Sequence, residues 1–196
     1  MDWREMSVQK DVQNALKYAH SKGWITRRDG NISVKKNDCF YITPSGVDKT
    51  SDFEIVRGEI VNGLDNIEFP TVKSPPSIEL DMHLFVHKHR KDNPEVAVVH
   101  VHPTYTVAAM RRSIRIELYL LEFPELYRYT KVGPTVGFYE PGSHNLALNV
   151  AQSLDGADIC GIYNHGVTAV GSSVDEAMEH VERLEHICKI IISSRG

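Results

Sequence analysis

The chain has 196 residues, 41% of them apolar and 24% charged, with 22 basic against 26 acidic side chains and a formal net charge of −4. That length makes one domain able to bury a core, and that charge leaves no basic footprint for nucleic acid. No apolar run reaches the roughly 20 residues that a membrane-spanning helix needs, and Met1 to Glu5 lacks the apolar stretch of a signal peptide.

In chain order, Val8 to Lys22 reads as an amphipathic helix with Val12, Leu16 and Ala19 on one stripe, stopped at Gly23. Asn31 to Lys35 and Cys39 to Thr43 read as two short strands around a hairpin turn at Lys36, Asn37 and Asp38, and Thr43 to Gly46 as a turn. Lys49 to Lys73 carries no clear period, and two short strands are expected there, near Glu54 to Ile60 and at Ile67. Ser77 to Arg90 reads as a helix with Ser77 as its N-cap. The β-branched run from Glu95 to His102 reads as a buried strand that Pro103 ends, followed by a helix from Thr104 to Arg111. Thr135 to Tyr139 is predicted as a strand and Ser143 to Leu154 as a helix capped by Ser143. Asp158 to Tyr163 and Val167 to Gly171 are predicted as strands flanking an Asn164-His165-Gly166 turn, and Ser173 to Ser193 as a last, Ser-capped helix. Helices alternate with strands and hairpins occur among them, so one α/β layered domain over residues 1–196 with a mixed sheet is expected. Three cysteines, Cys39, Cys160 and Cys188, form an odd set with no metal spacing. They fit packed thiols in a reducing compartment, hence a cytoplasmic protein.

The chemistry concentrates in the histidines. Residues i and i+2 of a strand share a face, so His100 and His102 set two imidazoles side by side at a strand end. His165, in the Asn-His-Gly turn, supplies a third. Two ligands from a strand end and one from a turn, with a position left for substrate, suit a catalytic zinc site. The competing reading is two half-buried strand histidines and an unrelated one in a turn. Glu79 by itself reads as a carboxylate placed favourably in the first turn of a helix. His83 and His87 follow it at i+4 steps, but that helix is highly charged and a better metal set exists. No ligand role is therefore expected for His83, His87 or His89. Gly30-Asn31-Ile32-Ser33, Pro44-Ser45-Gly46 and Ser77 each offer ordinary turn donors, and together they can hold one anionic group if the fold joins them.

These pieces, with Ile42 to Gly46, Pro76-Ser77-Ile78-Glu79 and Pro141-Gly142-Ser143, resemble the class II aldolase/adducin family in order and spacing. Within it they are most similar to the L-fuculose-1-phosphate aldolase group. The resemblance spans residues 30–171 and implies a three-layer α/β/α sandwich with a central, mainly antiparallel sheet. It implies a homotetramer with active sites between subunits and a small phosphorylated sugar as substrate. It also implies zinc on His100, His102 and His165, with manganese or cobalt as possible substitutes. Glu79 would be the acid/base, and Gly30, Asn31, Ser45, Gly46 and Ser77 would hold the phosphate. The implied reaction cleaves a small ketose 1-phosphate to dihydroxyacetone phosphate and an aldehyde through a metal-stabilised enediolate.

Two departures stand out. Ile78 occupies a place where the aldolases carry a serine, and no residue after the last helix matches a tail tyrosine that some of them use. Tyr119 falls near a second tyrosine that the group sends to a neighbouring subunit, or is an ordinary packed aromatic. The rival readings are a dehydratase of the methylthioribulose-1-phosphate type, then an epimerase, whose members carry Asp at the place of Glu79. A non-catalytic adducin-like binding module is the remaining one, and the presence of all three histidines argues against it.

Overall fold

The computed structural model describes residues 3–69 and 74–194. Its elements are α1 (Trp3–Ser21), β1 (Asn31–Lys36), β2 (Cys39–Ile42), β3 (Val56–Ile60), β4 (Ile67–Glu68), α2 (Leu80–His89), β5 (Glu95–Val101) and α3 (Thr104–Arg111). After a 3-10 helix (Ile116–Glu122) come α4 (Pro124–Tyr129), α5 (His144–Ser153), β6 (Ile159–Ile162), β7 (Gly166–Gly171) and α6 (Val174–Ser193). The strands make one seven-stranded sheet in the order β4-β3-β2-β1-β5-β7-β6. Every ladder in it is antiparallel.

Period-2 alternation assigns each strand residue to a layer. Ala97, Val99 and Val101 of β5 join the stripe Val12, Leu16 and Ala19 of α1 and the apolar face of α6 in one buried cluster. Val96 and Val98 point the other way, onto Met82 and Val86 of α2 and Leu146 and Val150 of α5. Both faces are covered, which gives the three-layer α/β/α sandwich and explains why β5 reads as a continuous apolar run. His100 belongs by period to the Val96 and Val98 face, so the fold turns it towards α2.

Ser143 and Ser173 cap α5 and α6, accepting from the N–H groups of Leu146 and Glu176. Each such cap stabilises its helix by about 1 kcal/mol. Ser77 does not cap α2. Its hydroxyl accepts from the Glu79 N–H at 3.3 Å, its carbonyl accepts from Leu80 N–H at 3.1 Å, and the helix begins only at Leu80. Glu79 therefore stands at the boundary of α2 rather than inside its first turn.

The predicted strand from Thr135 to Tyr139 is absent. Val132 to Val136 runs beside β6 with isolated parallel bridges, Val132 to Ile159 and Val136 to Ile162. Gly133 and Val136 donate to the Ile159 and Gly161 carbonyls at 2.8 Å, but Pro134 between them has no N–H to give, and the bridges stay isolated. The two strands expected between Lys49 and Lys73 are β3 and β4, while residues 70–73 lie outside the described residues.

Candidate active site

Three chain segments meet at one end of the sheet. His100 lies fully buried near the end of β5. His102 follows just past the strand, its N–H donating to the Trp24 carbonyl at 2.9 Å. His165 sits in the β6–β7 turn, which Asn164 closes with a left-handed φ of 58° and the His165 N–H with a 3.0 Å bond to the Ile162 carbonyl. Pairing of Val101 with Val167 sets that turn beside the end of β5. The three rings lie 4.8 to 5.0 Å apart between centroids. Each offers a ligand nitrogen, and all of these nitrogens fall within 4.8 Å of one another.

The chemistry of this donor set fits a metal ion. Burial and the neighbouring imidazoles hold His100 well below the ordinary histidine range and lower His102 as well, so both present neutral rings with lone pairs available. The His100 and His102 Nε2 atoms approach to 3.1 Å, where two lone pairs repel unless a proton or a cation lies between them. On its far side His100 Nδ1 meets the Thr168 hydroxyl at 3.3 Å, which turns Nε2 towards the cluster.

Gly166 makes room for this. A Cβ there would stand 2.5 Å from His102 Cδ2 and 2.5 Å from the Val101 carbonyl oxygen, and the carbonyl cannot yield without breaking the end of β5. Gly166→Ala is expected to displace His102, weakening metal affinity by about tenfold or more and destabilising the fold by about 1–3 kcal/mol. Metal titration and thermal melting check this; unchanged affinity would show that His102 has freedom to move.

Glu79 faces the same cluster from the start of α2. It is 5% exposed. Its Oε2 accepts from Asn31 Nδ2 at 2.9 Å and lies 3.4 Å from His100 Nε2. Its Oε1 lies 4.0 Å from His165 Nε2 and has no hydrogen-bond partner among the described residues. A buried carboxylate oxygen without a donor is costly, and substrate or a cation at this site would relieve it.

Beside Glu79 opens a cavity of about 190 Å³ whose wall includes Gly30, Asn31, Ser45, Gly46, Ser77, His102 and His165. The fold thus joins all the turn motifs nominated from sequence. Several of their donors are already committed: Ser45 N–H bonds the Pro75 carbonyl at 2.8 Å, Ser77 N–H the Thr43 carbonyl at 3.0 Å and Ile32 N–H the Thr43 hydroxyl at 2.9 Å. Gly30 and Gly46 both adopt a φ of 72°, which only glycine takes readily. Ile78 also lines this wall and is 70% exposed, so it does not pack into the core.

The structure adds residues that sequence reasoning passed over. Arg28 and Lys49 line the same cavity. Lys49 is 2% exposed and donates to the Pro44 carbonyl at 3.0 Å, and burial pulls its ammonium down to about 8. No period in residues 49–73 pointed to it. His83 and His87, expected on a charged helix without a ligand role, are outside the metal cluster but fully buried, both bonded to Ser33. The i+4 steps from Glu79 to His83 and from His83 to His87 were the available signal. Tyr119 lies in the 3-10 helix, half-buried against the core, and lines no part of the cavity in its own chain.

The sequence profile of the class II aldolase and adducin N-terminal domain matches residues 10–192. An L-fuculose phosphate aldolase of Methanococcus vannielii is 30% identical over 184 residues, covering 92% of this chain and 94% of that protein. A probable bifunctional methylthioribose-1-phosphate isomerase and methylthioribulose-1-phosphate dehydratase of Nocardia farcinica is 27% identical over 192 residues, 88% of this chain and 33% of its own length. The crystal structure of L-fuculose-1-phosphate aldolase from Thermus thermophilus superposes with a TM-score of 0.78 at 25% identity, covering 96% of this chain and 94% of that one. Profile, sequence likeness and fold agree over nearly the whole length: the chain belongs to the class II aldolase and adducin family and is similar to its fuculose phosphate aldolases.

Proposed function

We propose that the protein is a zinc-dependent aldolase that cleaves a small ketose 1-phosphate to dihydroxyacetone phosphate and an aldehyde. The observation that carries this reading is the Glu79 carboxylate, buried, with one oxygen unpartnered, 3.4 Å from His100 and 4.0 Å from His165. His100, His102 and His165 would hold the ion. When bound, it supplies a Lewis acid for the carbonyl and hydroxyl oxygens of the substrate.

The chain's own residues do the rest. Glu79 exchanges a proton with the reacting carbon: it takes one from the hydroxymethyl carbon of dihydroxyacetone phosphate in the condensation direction and returns it in cleavage. Asn31 fixes Glu79 through Nδ2 and retains a second N–H on that nitrogen for substrate. The Ser45 and Ser77 hydroxyls and the Gly30 and Gly46 loops border the place of the phosphate, with Arg28 and Lys49 as its positive charges. Asp29 borders it too, with its carboxylate engaged by the Thr26 hydroxyl at 2.6 Å. Lys49 stands on the same wall as Ile78, which offers no hydroxyl there. A homotetramer, with Tyr119 reaching the site of a neighbouring copy, completes the proposal, together with a cytoplasmic location.

Product analysis tests the reaction: a three-carbon phosphate and an aldehyde support it, whereas loss of water without carbon–carbon cleavage would move the reading to the dehydratase type. Lys49→Met tests the anion site. A hydrogen bond to a charged group is worth about 1.5–3 kcal/mol, so KM for a ketose 1-phosphate should rise about tenfold or more while kcat holds. An unchanged KM would remove Lys49 from the site.

A further inference from the structure

A chain of buried side chains runs from Glu79 back into α2 and β1. Asn31 Nδ2 donates to Glu79 Oε2 at 2.9 Å, and Asn31 Oδ1 meets His83 Nε2 at 2.5 Å. His83 Nδ1 lies 2.7 Å from Ser33 Oγ, and Ser33 Oγ lies 2.8 Å from His87 Nε2. All of these residues are buried, and Ser33, His83 and His87 have no exposure at all. His87 Nδ1 ends the chain without a partner among the described residues, its ring edge-on to Phe40 with centroids 5.2 Å apart.

The direction of every bond in this chain follows from one end. An amide oxygen facing a carboxylate oxygen would bring lone pairs together, so Asn31 presents its nitrogen to Glu79 and its oxygen to His83. His83 Nε2 must then carry a proton. Burial pulls this imidazole down to about 4, so the ring is neutral and Nδ1 is bare. The Ser33 hydroxyl therefore donates to His83 Nδ1, and His87 must donate from Nε2 to that hydroxyl. His87 Nδ1 is left as a bare acceptor. The reverse direction would leave a buried N–H there instead, and orphaned buried N–H groups are the rarer kind. Both ends of the chain thus select the same direction.

We infer that His83, held in its Nε2–H tautomer by Ser33 and His87, is a positioning residue that aims the Asn31 amide nitrogen at Glu79. The inference rests on the reading of Glu79 as the acid/base. His83 touches no reacting atom; it keeps Asn31 from turning over and so keeps Glu79 Oε1 directed at the cluster.

Two substitutions separate the two edges of the ring. In His83→Gln the new side-chain amide nitrogen stands near the place of Nε2 and keeps the donor to Asn31, while His83→Asn keeps only the Ser33 side. His83→Gln should hold kcat within about threefold, and His83→Asn should lower it about tenfold to a hundredfold, the range that a misplaced catalytic group costs. Metal content should stay the same in both, and KM should stay the same in His83→Gln. In a Glu79→Gln background His83→Asn should cost little more, because the group it positions is gone. Equal losses for both variants, or the same loss in both backgrounds, would overturn the inference. Nitrogen-15 NMR of the wild-type protein tests the tautomer without activity: a proton on His83 Nε2 and a bare Nδ1 are expected, and a proton on Nδ1 would refute the chain. If Glu79→Gln is inactive while His83→Asn is normal, the positioning role fails alone. If Glu79→Gln is active, the reading of Glu79 fails and the tautomer still stands or falls by NMR.

Discussion

Glu79→Gln is expected to retain the fold and the metal and to lose turnover by about 10²- to 10⁴-fold, the usual contribution of a positioned acid/base. The side chains are nearly the same shape. The glutamine oxygen can still accept from Asn31 Nδ2, now at the place of Oε2, and its NH₂ then fills the place of Oε1 beside His165. What disappears is the ability to accept a proton. The substitution also removes a buried carboxylate whose Oε1 has no donor, so the melting temperature should stay level or rise, as it does where a site is built at a cost to stability. Steady-state kinetics, metal analysis and melting on the same preparation check all three expectations. Near wild-type turnover would take the proton-transfer role from Glu79.

The second large effect is on metal content. Wild-type protein should hold about one zinc per chain, since three converging imidazoles with an open position form a catalytic-type site. His165→Ala and His100→Ala should each weaken binding by more than about a hundredfold. The two differ in their structural cost. His165 lies in a turn with its side chain 17% exposed, whereas His100 is fully enclosed between β5 and α2. His100→Ala leaves a buried cavity and should lower the melting temperature, while His165→Ala should lower it little beyond the loss of bound metal. Elemental analysis after desalting reads the occupancy, and full occupancy in both variants would dismiss the cluster as a metal site.

How much of this was legible depends on the range of the interactions involved. His100 and His102 were legible because strand period and Pro103 act locally, and His165 because its turn is written into three adjacent residues. The helices with serine caps at Ser143 and Ser173 were found for the same reason. Glu79 gained its role only from resemblance, because its meaning lies in contacts to β1 and β5 that no local pattern encodes. His83 and His87 were placed on a charged helix, yet Asp81 carries that charge outward while the histidines turn inward onto Ser33, 50 and 54 residues away in sequence. Lys49 was illegible because a lysine after a turn is ordinarily solvated, and only the folding of Pro44 and Phe53 around it makes it a buried cation. The stretch from Ile114 to Thr130 gave no sequence signal, and it forms the 3-10 helix and α4, with Pro124 at the helix start.

The proposed function requires that this pocket remove a proton from a carbon next to a carbonyl, with Glu79 as the base. It can be tested without knowing the aldehyde. Zinc-loaded protein is incubated with dihydroxyacetone phosphate in deuterium oxide, and the hydroxymethyl carbon is followed by proton NMR. With Glu79 as the base, one of its two protons should exchange with solvent in the wild type, chelation should stop the exchange, and Glu79→Gln should slow it by about the same factor as turnover. Retention of both protons by the zinc-loaded wild type, under conditions where inorganic phosphate demonstrably binds, would contradict it.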